Sequence, residues 1–145
     1  MPHYPDQAEC DAFGSSCAAQ LRAAGWLAHS APFSTGETSR AVFDRLVAWS
    51  RDPWQPLLLA GAHSCDLCQF DGAIGSKVLF IPDREFAWVC PELITHYINA
   101  HRYRPPDAFC QAVLAAPEMR TSDYLKALRN CAPDLVRLAA GANEA

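Results

Sequence analysis

Residues 78–91 read Val-Leu-Phe-Ile-Pro-Asp-Arg-Glu-Phe-Ala-Trp-Val-Cys-Pro, and this stretch decides the fold. Two runs, 78–81 and 86–90, are rich in β-branched and aromatic residues. Between them stands Pro82-Asp-Arg-Glu85, a connection of turn-forming length and composition. The pattern predicts an antiparallel β-hairpin.

Working outward toward the C-terminus, Pro91 suits the first position of a helix. That helix would carry Leu93, Ile94, Tyr97 and Ile98 and end near Ala100, ahead of Pro105-Pro106. A second helix would run from Pro106 through Phe109, Val113 and Leu114 to Ala116. A third would be capped by Thr121 or Ser122, with Tyr124, Leu125 and Leu128 inward, and a short fourth would span 133–140. Toward the N-terminus, 63–75 is a turn-rich loop and the apolar run 57–60 reads as a buried strand. Pro53 and Pro56 bar helix there. Ser34 with Glu37 has the form of a capping box, opening a helix through Val42, Phe43, Leu46, Val47 and Trp49 to about Ser50. Cys17, Leu21 and Ala24 recur at helical spacing over 15–24, and Gly25 ends that run. The expected class is α+β: a small antiparallel sheet of about three strands with N-terminal and C-terminal helices, stabilised by zinc. The expected organisation is a single zinc-binding domain over 1–145, with 1–14 and 141–145 loosely ordered. The regular helix-strand alternation of a doubly wound sheet is absent.

Ligand-type residues flank the hairpin. On one side is Cys65-Asp-Leu-Cys68, a C-x-x-C turn that sets two sulfurs at a separation suited to two corners of a tetrahedral zinc site. On the other is His96-Tyr-Ile-Asn-Ala-His101, an H-x4-H spacing found in zinc sites of two Cys and two His. The metal set is therefore Cys65, Cys68, His96 and His101, and the cofactor Zn2+. Helix geometry complicates the second pair, because residues five apart lie about 140° apart round a helix. Both imidazoles reach one metal only if the helix changes form or ends between them. His63, two residues before Cys65, and Cys90, at the end of the second hairpin strand, are substitute ligands for His101. His96 falls on the helix face of Leu93, Tyr97 and Ala100, which makes it the stronger histidine candidate. A thioredoxin-like redox pair is the competing reading of the C-x-x-C, but that motif opens a helix, and Gly72 and Gly75 follow here.

The runs Gly61-Ala-His-Ser-Cys-Asp-Leu-Cys68 and Pro91-Glu-Leu-Ile-Thr-His-Tyr-Ile-Asn-Ala-His-Arg-Tyr-Arg-Pro-Pro106 resemble a family of small bacterial proteins with no established activity. The resemblance covers the central and C-terminal two thirds of the chain. It implies the architecture and adds nothing about function.

Composition narrows the function classes. The chain has 145 residues, 50% hydrophobic and 19% charged, with a formal net charge of −4. That charge argues against a general nucleic-acid binder, which needs Lys and Arg against phosphate. No apolar run reaches the roughly 20 residues that cross a bilayer. The first ten residues lack the apolar core of a signal peptide. Seven cysteines, an odd number, fit a disulfide framework poorly, so the expected compartment is the reducing cytoplasm. Two functions follow. The first is an interaction module with a structural zinc and a protein or small-molecule partner, met by the hairpin and a face of Arg102, Tyr103 and Arg104. The alternative is a small zinc enzyme with a site of two Cys, one His and water, and Glu92 as general base one helical turn before His96. No H-E-x-x-H, deaminase H-x-E, G-K-[ST] or G-x-S-x-G signature is present to favour the enzyme.

Overall fold

The computed structural model describes residues 3–56, 62–70 and 72–144. Helix α1 spans Ser15–Ala18 and strand β1 Leu21–Ala23; α2 is Arg40–Ser50. Strands β2 His63–Ser64 and β3 Ile74–Gly75 precede the main hairpin, β4 Val78–Pro82 and β5 Ala87–Pro91. Four helices follow: α3 Ile94–His101, α4 Asp107–Ala115, α5 Ser122–Cys131 and α6 Pro133–Glu144. The class is α+β. The expected strand over 57–60 lies outside the described residues.

The hairpin forms where it was expected, with Phe80 opposite Val89 and Ile81 opposite Trp88. Its third partner differs from expectation. β1 lies parallel to β5, with Leu21 opposite Ala87 and Ala23 opposite Val89, so the sheet of order β1-β5-β4 is mixed rather than antiparallel. Residues 21–23 were expected to be helical. Cys17, Leu21 and Ala24 are indeed all buried, but pairing with a buried strand outweighs a helical period shared by only three residues. Ser34 does not cap α2 either. Thr35 bridges Tyr103 and the Gly36 N–H goes to the Arg102 carbonyl, which holds this segment extended. The helix starts five residues later, at Ser39, whose hydroxyl accepts from the Val42 N–H. Pro91 stays in the ladder opposite Val78, and α3 begins at Ile94.

Every residue of β4 and β5 is buried, and alternation sends them to two cores. Leu79, Ile81, Trp88 and Cys90 pack with Leu46 and Trp49 of α2, Ile94 and Tyr97 of α3, and Phe109 of α4. Val78, Phe80 and Val89 pack on the other face with Phe13, Tyr124, Leu128 and Leu135. Both open edges of this sheet are covered, which blocks pairing with a foreign strand. Along β4, the Gln55 amide bonds the N–H and C=O of Val78, Tyr124 Oη donates to the Phe80 carbonyl at 2.6 Å, and Pro82 has no N–H. Along β1, Ala23 exchanges bonds of 2.8 Å with Gln7 and Ala8. Helix α3 thus leaves the hairpin with one face fixed against the first core and its other side turned toward the loop 62–70.

Candidate metal centre

The two-residue strands β2 and β3 form an antiparallel ladder, His63 opposite Gly75 and Ser64 opposite Ile74. The Cys65 N–H continues it to the Ala73 carbonyl at 2.9 Å. Cys65 therefore leaves the ladder at a fixed angle and is buried, while Cys68, three residues on, is half-buried. Gly72 closes this knuckle. A Cβ there would stand 2.6 Å from the Cys65 carbonyl oxygen, so the close approach of the two backbones requires glycine. Residues 66–70 form bends, not the helix that a thioredoxin-like pair would open.

Helix α3 supplies the histidines, and its chain exit is tightly held. The Tyr97 carbonyl accepts from the Arg102 N–H, five residues on, and from the Tyr103 N–H at 3.1 Å. The turn is wide in the π manner, and Arg102 leaves it left-handed at φ 55°, ψ 29°. The side chains of His96 and His101 turn to one side. Their rings meet edge to face with centroids 5.1 Å apart. His101 is the last residue of this α-helix, so the helix does not end between the pair.

Cys65, Cys68, His96 and His101 come together. One ligand atom from each lies within 4.8 Å of all the others, the only such group among the described residues. His96 Nε2 is 3.2 Å from Cys68 Sγ, and His101 Nε2 is 3.5 Å from both sulfurs. Bonds of about 2.3 Å to sulfur and about 2.05 Å to nitrogen, at the tetrahedral angle, separate the two atom types by about 3.6 Å. Three of the four sulfur–nitrogen pairs stand close to that spacing, and the donor set of two sulfurs and two imidazoles is one that metal ions of zinc type take. Its electrostatics agree. Burial and the neighbouring His101 hold His96 below the ordinary imidazole value, which favours the neutral form that a metal needs. Burial pushes the Cys65 thiol up, so without a cation the sulfur keeps its proton.

The other candidates lie elsewhere. His63 is half-buried on β2 and outside the cluster. Cys90 is fully buried in the first core, where burial pushes its thiol up. Glu92 is engaged as a brace: its Oε1 accepts from the N–H groups of Ser76 and Lys77, and its Cγ is packed where a Gly75 Cβ would stand. The expected face of Arg102, Tyr103 and Arg104 is not a face. Tyr103 is wholly buried, its hydroxyl donating to the Asp6 carboxylate at 2.9 Å, and Arg104 pairs with Asp107. Sequence reasoning missed His29, whose Nδ1 stands 3.1 Å from Asp66 Oδ2 inside the C-x-x-C loop. Partial burial works against the Asp66 carboxylate, but the His29 contact outweighs it and holds the group below its usual range. No local signal could have revealed a partner 37 positions away. Gly72, four residues after Cys68, was visible in the sequence and its close contact was not.

Residues 2–114 match the family model described as a domain of unknown function, DUF7919, and the chain belongs to that family. The match takes in the N-terminal segment and β1 and ends inside α4, so it lies further toward the N-terminus than the resemblance of the two motifs implied. All four clustered residues fall within it. No curated protein and no solved structure matches the chain. No helix among the described residues is long and apolar enough to cross a membrane.

Proposed function

We propose that this member of the DUF7919 family is a cytoplasmic zinc protein in which Cys65, Cys68, His96 and His101 fill the coordination shell, so that the ion holds the fold and the protein serves as an interaction module. One observation carries the reading: four ligand atoms mutually within 4.8 Å, with sulfur–nitrogen spacings of 3.2 and 3.5 Å. Four protein ligands leave no position for water, and that separates structural zinc from catalytic zinc. The bound ion would supply a crosslink between the knuckle and the helix after the hairpin. Zinc is favoured over calcium or magnesium, which prefer oxygen ligands. Seven free thiols suit a reducing compartment.

The enzyme reading needs an open coordination position and a free base. His101, with its Nε2 3.5 Å from both sulfurs, would fill the position that water needs, and Glu92 is bound to backbone. The test is metal analysis of protein purified without added metal, followed by cobalt substitution. One zinc per chain, and a tetrahedral cobalt spectrum unmoved by azide or cyanide, are the expected results. A metal-free folded protein would overturn the proposal, and an anion-dependent cobalt spectrum would return the enzyme.

A further inference from the structure

The described residues expose three large apolar side chains, and two of them belong to the metal knuckle: Phe70 at 82% and Ile74 at 70%, against 48% for Leu114 on α4. Single exposed apolar residues are ordinary. Two on one short loop, more exposed than any other large apolar group described, are not accounted for by packing. Their neighbours Leu67 and Ala73 do pack inward on the first core. The described flanks of the loop are hydrogen-bonded as well. The Cys65–Ala73 hydrogen bond, the β2–β3 ladder and the Glu92 brace fix both sides of it. Apolar groups on a preorganised loop lose little entropy when they bind, which is what an anchor requires.

Charge identifies the kind of partner. From position 53 to position 76 the sequence carries Asp66 and Asp71 and no Lys or Arg. The next cation, Lys77, turns its ammonium to the Arg51 carbonyl at 3.3 Å. A segment with acidic and no basic side chains is repelled by anionic lipid and by nucleic acid. It is complementary to an apolar pocket with a basic rim. A second copy of this chain, with formal charge −4, is a poorer match.

We infer that the knuckle docks Phe70 and Ile74 into an apolar pocket, rimmed by Lys or Arg, on another protein. This rests on the interaction-module reading above and names its surface. The test places a photo-crosslinking phenylalanine analogue at position 70, at 74 and, as control, at 114, in full-length protein in the cells that produce it. Expected is one protein adduct shared by 70 and 74 and absent at 114. That partner, once purified, should bind Phe70→Ser at least tenfold more weakly than parent and should lose affinity as salt rises. An adduct to a second copy, to lipid or to nucleic acid would overturn the inference, as would no adduct, or affinity indifferent to salt. Metal content is read on the same samples. Phe70→Ser should keep one zinc per chain, and an adduct from metal-free protein carrying the analogue at 70 or 74 would sink the metal reading while leaving the docking surface standing.

Discussion

Replacing Cys68 with serine removes the sulfur that lies 3.2 Å from His96 Nε2 and 3.5 Å from His101 Nε2. Its consequence can be sized from chain topology. A metal joining Cys68 to His96 closes a loop spanning 28 positions. Treated as a crosslink, a loop of that length restricts the unfolded chain by about 3.6 kcal/mol at 25 °C. For a chain of this size each kcal/mol shifts the melting temperature by about 2–4 °C, so the loss is about 10 °C. Calorimetry on four samples separates this from simple loss of a packed thiol: parent and Cys68→Ser, each with and without chelator. Chelator should lower the parent by about 10 °C and leave Cys68→Ser unmoved, because both perturbations remove the same crosslink. Cys68→Ser melting with parent, or responding to chelator as fully as parent does, would refute the crosslink argument.

The two histidines should matter about equally. The helix face alone favoured His96, but His101 Nε2 stands 3.5 Å from both sulfurs, so His96→Ala and His101→Ala should both lose zinc in chelator competition. Retention by either variant would remove that histidine from the shell. Acid should release the metal, because all four ligands bind deprotonated. His96 is held below its ordinary value of 6.5, so its neutral form contributes fully above that pH and the contribution is lost as pH falls below it. A zinc indicator read across a descending pH series checks the direction. Gly72→Ala should weaken zinc binding at least tenfold, since the new methyl meets the Cys65 carbonyl at 2.6 Å. Gly141→Ala, at an exposed helix position with nothing within 4 Å, should leave zinc untouched and raise stability by about 0.5–1 kcal/mol. Equal zinc affinity in the two glycine variants would show that the knuckle tolerates a side chain.

What the sequence revealed depended on how local the determining forces are. The hairpin over 78–91 was legible because two continuous apolar runs and a turn lie within fourteen positions. The four clustered residues were legible because sulfur pairs and histidine pairs announce themselves by spacing. β1 was not legible: Leu21–Ala23 is three residues long, and its partner on β5 is more than sixty positions away. The wide last turn of α3 was not legible either. It arises where the Tyr97 carbonyl gathers two N–H groups as the chain leaves for Tyr103, a buried anchor fixed by Asp6 from the other end of the chain. Glu92 misled for a related reason. A carboxylate one turn before His96 resembles a base, and only the fold shows it holding the backbone at Ser76 and Lys77.

X-ray absorption at the zinc edge, on protein purified without added metal, tests the central claim most directly. It counts the atoms bound to the ion and identifies them by distance. The expected shell is two sulfurs at about 2.3 Å and two imidazole nitrogens at about 2.0–2.1 Å, with no further oxygen. A shell with one nitrogen replaced by oxygen, or with a third sulfur, would contradict the set of Cys65, Cys68, His96 and His101.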